Sequence, residues 1–302
     1  MIWCLAGPGS LGLDVEVGFG DRLGVGACIG VGARVGGMAH DQETVATEAT
    51  VAGPVAVVTG ASRGLGAGIA AVLGAEGLRL GLCARTIPAR PEGADPASVV
   101  AAALDVTDAE AVDAFADAVV ERFGRIDLWV NNAGVLEPIG PLAEADPAQL
   151  RRNIEVNVTG VLYGSRAFAR HVRSRPGSGV LVNLSSGAGS HPYEGWAAYC
   201  ASKAGVDMAT EVVAREERAH GLVAYALAPG VVDTDMQALI RATPERSFPA
   251  VGRFRRLHDE GGCTSPEWVG RFVLGLARGE VETVGVKVRA PDQPASGASG
   301  EG

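Results

Sequence analysis

The stretch GWAAYCASKAG, residues 195–205, sets Tyr199 and Lys203 four residues apart, and Lys203 is one of only two lysines among 26 Lys and Arg in a chain of 302 residues. Residues four apart on a helix share a face. A phenol titrates near pH 10 and is a poor acid–base group at neutral pH. An ammonium about 4 Å from the phenolate, at an effective dielectric near 20, would interact with it by roughly 4 kcal/mol, about three pKa units. A shift of that order would fit the pair for proton transfer near pH 7. Lysine suits such a place better than arginine, because a compact ammonium reaches neighbouring hydroxyls and passes protons through water. Taken alone, a Tyr–Lys pair at this spacing reads as a solvated helix face with a snorkelling lysine. The elements around it have to decide.

From residue 53 onward, short apolar runs alternate with helical patterns. VAVVTG (55–60) reads as a buried strand and 65–76 as a helix. Further strand-like runs lie at 78–83, 99–104, 126–131, 179–185 and 222–228, with a weak last one near 284–289. Helical patterns occupy about 108–123, 146–175, 197–220 and 265–278. This alternation predicts an α/β fold: one doubly wound parallel sheet of about seven strands with helices on both faces. Between residues 84 and 96 the segment ARTIPARPEGADP carries three prolines, so the crossover helix there should be short or missing.

Glycine spacing needs context. TGASRGLG places glycines at 60, 64 and 66, but with 43 glycines in the chain the same spacing recurs at 20, 24, 26 and at 26, 30, 32. Chance alone would supply about one such pattern, so spacing is weak by itself. Only the 60–66 copy follows a strand and opens into a helix-forming run. There the glycines would let backbone approach a pyrophosphate at a helix N-terminus, where N–H groups and the dipole favour anions.

Composition bounds the rest. Net charge is −9, with 47% hydrophobic residues and a mean hydropathy of +0.18. The acidic balance argues against a nucleic-acid partner or an anionic membrane surface. Five widely spaced cysteines, with no C-x-x-C pair, argue against a disulfide framework or a zinc site and fit a reducing, cytoplasmic setting. No apolar run of the length of a membrane span occurs. Residues 1–53 form a Gly-rich extension, with eleven glycines in the first 37 positions and no signal-peptide pattern. That segment and the tail at 291–302 are expected to be disordered, leaving 54–290 as the folded domain.

Downstream of the glycines come LDVTD (104–108), NNAG (131–134), NVTG from Asn157, VNLSS (182–186), YCASK (199–203) and APGVVDTDM (228–236), in that order. Together they resemble the short-chain dehydrogenase/reductase family, from residue 54 to about 290, and within it the sepiapterin reductase and benzil (dicarbonyl) reductase branch. The resemblance implies a Rossmann-like fold, a small-molecule carbonyl substrate and a homodimer or homotetramer. It makes Tyr199 the proton donor in ketone reduction and Ser186, rather than its neighbour Ser185, the hydrogen-bond donor to the substrate oxygen. Asn157 would hold a water in a relay to Lys203, with a bridge between helix and strand as its structural alternative. The cofactor would be held by Gly60, Ser62, Arg63, Gly64, Leu65 and Gly66, by Asp105 and Val106 beside the adenine, and by Asn132, Ala133 and Gly134. Tyr199, Lys203, Pro229, Gly230, Val232 and Thr234 would complete the cofactor-binding set.

NAD-selective members carry a carboxylate at the end of the second strand for the ribose 2′-hydroxyl. Here that position reads Ala84–Arg85, and Arg63 lies in the glycine loop. Two guanidiniums and no carboxylate point to a 2′-phosphate, hence NADPH. On the substrate side Trp196 reads equally as a pocket wall or as core. The segment from about 230 to 258 would form a lid, with Met236, Leu239 and Phe248 as lining or as lid packing. A sepiapterin reductase would anchor the pterin with a carboxylate near the last strand, where this chain has Arg289. A diketone or aryl ketone is therefore expected rather than a pterin.

Overall fold

A computed structural model describes residues 53–294; the expectations for the N-terminal extension and for the tail from 295 lie outside the described residues. Five short strands, β1 (Val55–Thr59), β2 (Arg79–Ala84), β3 (Val99–Ala103), β4 (Leu128–Asn131) and β5 (Gly179–Leu184), are joined by β6 (Leu222–Ala228) and β7 (Lys287–Arg289). They form one seven-stranded sheet in the order β3-β2-β1-β4-β5-β6-β7, with every neighbouring pair parallel. The order reverses between β1 and β4, and such a switch point leaves a crevice at the strands' carboxyl ends.

The helices divide between the two faces. On one lie α1 (Gly64–Ala75) and α8 (Pro266–Arg278), whose Ile69, Leu73, Val269 and Val273 cover Ala56, Val58, Leu80 and Leu82. On the other, α2 (Ala109–Phe123) and α4 (Gly160–Arg173) press Phe115, Val119 and Phe168 onto Val55, Val57, Trp129 and Leu181. Alternate residues of β1 face opposite layers, yet all five are buried, as expected of a strand covered on both sides. The short α3 (Pro147–Ile154) leads through a π turn at Glu155–Thr159 into α4. The long α5 (Ala197–Glu217) packs on β6. Two helices, α6 (Asp235–Ala242) and α7 (Val251–Asp259), span the segment expected to form a lid.

No α-helix fills the proline-rich β2–β3 connection, which holds a single turn at Pro96–Ser98. At the other end, β7 is shorter than the run near 284–289. Beyond it, Pro291 O accepts from Trp268 Nε1 at 2.8 Å and Gln293 Oε1 from Ser265 N at 2.8 Å, so these residues lie along the start of α8. Among the described residues no helix is long and apolar enough to cross a membrane.

Candidate active site

The turn from β1 to α1 is locked from β4. Thr59 Oγ1 accepts from Asn132 N at 3.0 Å and Ala133 N at 3.1 Å, while Asn132 Nδ2 donates to Thr59 O at 2.9 Å and Gly60 O at 3.2 Å. Glycine is required at two points in this clasp. Gly60 sits at φ +67°, and a Cβ on Gly66 would lie 2.3 Å from Gly60 O and 2.4 Å from Asn132 Nδ2. The first turn of α1 has no side-chain cap and no acidic residue, so its leading N–H groups face outward without an internal acceptor. A helix N-terminus of this kind favours an anion, and the donor set fits a dinucleotide pyrophosphate.

The other expected cofactor residues ring this turn. Ser62 and Leu65 lie in it, and Gly64 approaches Thr234: a Cβ there would be 3.4 Å from Thr234 Cγ2. Arg63 reaches across to Asp235 at the start of α6, Nη1 to Oδ2 at 2.8 Å, both side chains being more than 70% exposed. Arg85 is exposed just beyond β2. Asp105 accepts from Thr107 N at 3.0 Å, Thr107 Oγ1 at 2.8 Å and Arg152 Nη2 at 2.8 Å. Burial pushes its carboxyl up, but these bonds outweigh it and hold it below its ordinary value. Val106 is buried beside it against Gly160, Gly134 follows the Asn132–Ala133 clasp, and Pro229–Gly230 leaves β6 toward Val232, which bridges to Thr264.

The reacting centre is buried. Tyr199 is 8% exposed, Lys203 6% and Asn157 1%. Ser186 follows β5 and turns its hydroxyl toward Tyr199, a contact that draws the phenol pKa down. Burial outweighs it and, with Cys200 adding, pushes Tyr199 up to about 12. This is the reverse of the depression expected from the i,i+4 lysine, and the geometry shows why. Lys203 Nζ donates to Leu184 O at 2.8 Å and lies 5.6 Å from the centroid of the Tyr199 ring. Burial pushes Lys203 down to about 8, with Asp207 pulling it back up. Desolvation thus disfavours the charged form of both groups: the phenol stays neutral, while Lys203, at about 8, still titrates above neutral pH.

The Asn157 side chain is fully engaged within the protein. Its Oδ1 accepts from Val135 N at 2.8 Å, and its Nδ2 donates to Val135 O at 2.8 Å and Ser202 Oγ at 3.0 Å. These bonds make Asn157 a bridge between α5 and the loop after β4. Asn153, one turn earlier, donates to Glu137 O at 2.8 Å and to Leu136 O at 3.2 Å. The two amides grip the loop after β4. Asn153 and Asp207 were absent from the sequence-derived set; two asparagines four apart on a helix were the signal for the first.

Trp196 is core rather than exposed wall. It is 4% exposed, stacks on Phe248 at 4.3 Å with planes 10° apart, and meets the Tyr199 ring edge-on at 5.5 Å. Met236 packs against this cluster, Phe248 is fully buried in it, and Leu239 points outward at 40% exposure. Trp196 Nε1 and Gln237 Oε1 are buried without a partner among the described residues. Arg289 is exposed and pairs with Asp292 at 2.9 Å.

A doubly wound sheet with an anion cradle at its switch point, beside Ser186 and the buried Tyr199 and Lys203, is the arrangement of a dinucleotide-binding oxidoreductase. The chain matches the short chain dehydrogenase family over residues 54–245 and belongs to it. It is 33% identical over 227 residues to a benzil reductase ((S)-benzoin forming) of Bacillus subtilis (strain 168), covering 73% of this chain and 91% of that one. It is 38% identical over 240 residues to 3beta-hydroxysteroid dehydrogenase 1 of Eggerthella lenta, covering 77% and 89%. A solved short chain dehydrogenase from Burkholderia cenocepacia J2315, in complex with NADP, superposes with a TM-score of 0.62 at 28% identity, covering 79% of this chain and 88% of that one.

Proposed function

We propose that the chain is an NADPH-dependent carbonyl reductase that acts on ketones or vicinal diketones, with Tyr199 as proton donor. The observation that carries this is the burial of Tyr199 and Lys203 one turn apart on α5, with Ser186 at the adjoining end of β5, under an apolar cluster centred on Trp196 and Phe248. Arg63 and Arg85, with no carboxylate at the end of β2, support NADPH. The NADP complex of the Burkholderia protein supports that cofactor, and the benzil reductase likeness supports a diketone substrate.

The bound cofactor supplies the hydride. The protein's part is to hold the carbonyl oxygen between the Ser186 and Tyr199 hydroxyls and to deliver the Tyr199 proton to the alkoxide as it forms. A phenol raised to about 12 stays protonated across neutral pH, ready to donate. The phenolate left behind is stabilised by Lys203, which must be an ammonium at that moment. The low-dielectric interior strengthens that attraction. The proton is then restored from solvent.

NADPH and NADH consumption over a panel of benzil-like diketones, sepiapterin, β-ketoacyl thioesters and 3-ketosteroids tests the reading. Diketone turnover with NADPH, at least about tenfold above sepiapterin in kcat/KM, is expected; about 1.4 kcal/mol of discrimination would give it. The basis is that a pterin's ring N–H groups need acceptors, which Arg289 does not offer. A hydroxysteroid dehydrogenase is the second reading, favoured by the Eggerthella relative; faster 3-ketosteroid turnover would select it. No turnover on any carbonyl would sink both. We further propose a homodimer or homotetramer, supported by Leu162 on α4 and Met208 and Val212 on α5, apolar side chains 43, 60 and 44% exposed. A monomer by light scattering would refute that.

A further inference from the structure

Asp207 lies one turn beyond Lys203 and two beyond Tyr199, and all three are buried on α5. A carboxylate held out of water needs bonds and countercharge. It has both. Ser185 Oγ donates to Asp207 Oδ1, and Lys287 Nζ on β7 stands 3.9 Å from Oδ2 while also facing Glu211 at 3.3 Å. The turn Gly187–Gly189 closes over the carboxylate. A Cβ on Gly189 would lie 2.9 Å from Asp207 Oδ2 and 3.0 Å from the Lys203 carbonyl oxygen. Ser185 is fixed from a second side, since its N–H donates to Leu227 O at 2.7 Å. The next residue is Ser186, whose Oγ accepts from Ala188 N at 3.2 Å.

We propose that Asp207 is a positioning residue for the reaction: through Ser185 it clamps the strand end carrying Ser186 onto the helix carrying Tyr199, and through its charge it keeps Lys203 an ammonium. The clamp follows from the bonding just given. The charge argument follows from burial: Lys203 bonds one neutral carbonyl oxygen, and Asp207 is the group whose charge offsets its desolvation. The charged groups facing Asp207 are Lys203 and Glu211 on its own helix and Lys287 on β7. Burial raises its carboxyl above the ordinary range, Ser185, Lys287 and Lys203 pull it back, and Glu211 adds to the rise.

This role rests on Tyr199 and Lys203 acting as described above, and the experiment keeps the two apart. Retained turnover in a folded Tyr199→Phe protein would overturn the mechanism and this role with it. With that variant inactive, Asp207→Asn keeps an acceptor for Ser185 and removes the charge. The expected result is a fall in kcat of about tenfold, as for a modest loss of alignment, and a second, diagnostic effect on pH dependence. Asp207 raises the Lys203 pKa, so its loss should move the alkaline limb of the kcat/KM profile down by about one pH unit. Ser185→Ala keeps the charge and loses the clamp, so kcat should fall several-fold, by the same loss of alignment, with the limb in place. Lys287→Gln, at a half-exposed side chain, removes a competing cation and should move the limb upward. An unmoved limb in both the Asp207 and Lys287 variants, or a fall in activity that only tracks lost thermal stability, would overturn the proposal.

Discussion

Arg63→Gln distinguishes a guanidinium that reads a phosphate from one that only braces a loop. In the free chain Arg63 is already paired with Asp235 at 2.8 Å, and the two side chains are 71 and 74% exposed. A pair so open to water contributes about 0.2–1 kcal/mol. A charge-assisted bond to a 2′-phosphate contributes about 1.5–3 kcal/mol. Transfer of Arg63 from Asp235 to the phosphate therefore nets about 1–2 kcal/mol, and Arg63→Gln should weaken NADPH binding about 5- to 30-fold. NADH offers a neutral hydroxyl there, so its Kd should change by less than about twofold. The converse variant, Asp235→Asn, frees Arg63 from its competitor and should tighten NADPH about two- to fivefold while leaving NADH alone. Calorimetric titration of both cofactors reads this directly at one fixed ionic strength, because salt screens exposed charges. Equal weakening of both cofactors by Arg63→Gln, or no gain for NADPH in Asp235→Asn, would refute the reasoning.

Four further outcomes are expected. Tyr199→Phe should bind NADPH normally but lose at least about 10²-fold in kcat, the scale of lost acid catalysis; stopped-flow hydride transfer checks it. Arg85→Asp should shift preference toward NADH, through loss of a phosphate partner and gain of a ribose acceptor, which steady-state kinetics with both cofactors would show or exclude. Asn157→Ala strands the Val135 N–H, at a cost of about 1–3 kcal/mol, and leaves Val135 O only the longer bond from Asn153 Nδ2 at 3.4 Å, so Tm should fall by several degrees. His171 accepts from Ile126 N at 2.9 Å and from Arg175 Nε at 3.0 Å. Burial first, then Arg175 and Arg125, hold its pKa below 6.5, against a smaller pull from Asp127. Because the folded value is depressed, the neutral ring's stabilisation is complete above pH 6.5 and declines as pH falls below it. Urea unfolding from pH 8 to 5 should show that decline in the native chain and a flatter one in His171→Gln.

What the sequence disclosed and what it hid divide along the range of the interactions. The sheet was legible because strands covered on both faces read as nearly continuous apolar runs, as VAVV in β1 and LWV in β4 do. The missing crossover helix was legible because Pro88, Pro91 and Pro96 act on their own backbone. The glycine cradle was legible once its flanks were read, since strand, turn and helix adjoin in the chain. Long-range partners were hidden. Asp235 meets Arg63 across 172 residues, and Phe248 decides between core and pocket wall for Trp196 from 52 positions away. The π turn at Glu155–Thr159 has no local composition that marks it, yet it sets where Asn157 points.

The Tyr199 pKa shows the same limit in energetic form. Spacing established that a cation shares the tyrosine's helix face, but the sign of the shift depends on how deeply both groups are buried. Here burial prevails: Tyr199 rises to about 12 and Lys203 falls to about 8. The i,i+4 spacing alone therefore does not make the pair an acid–base couple. In the proposed mechanism it becomes one through a hydroxyl from another element, Ser186 at the end of β5, and a carboxylate farther along the same helix, Asp207.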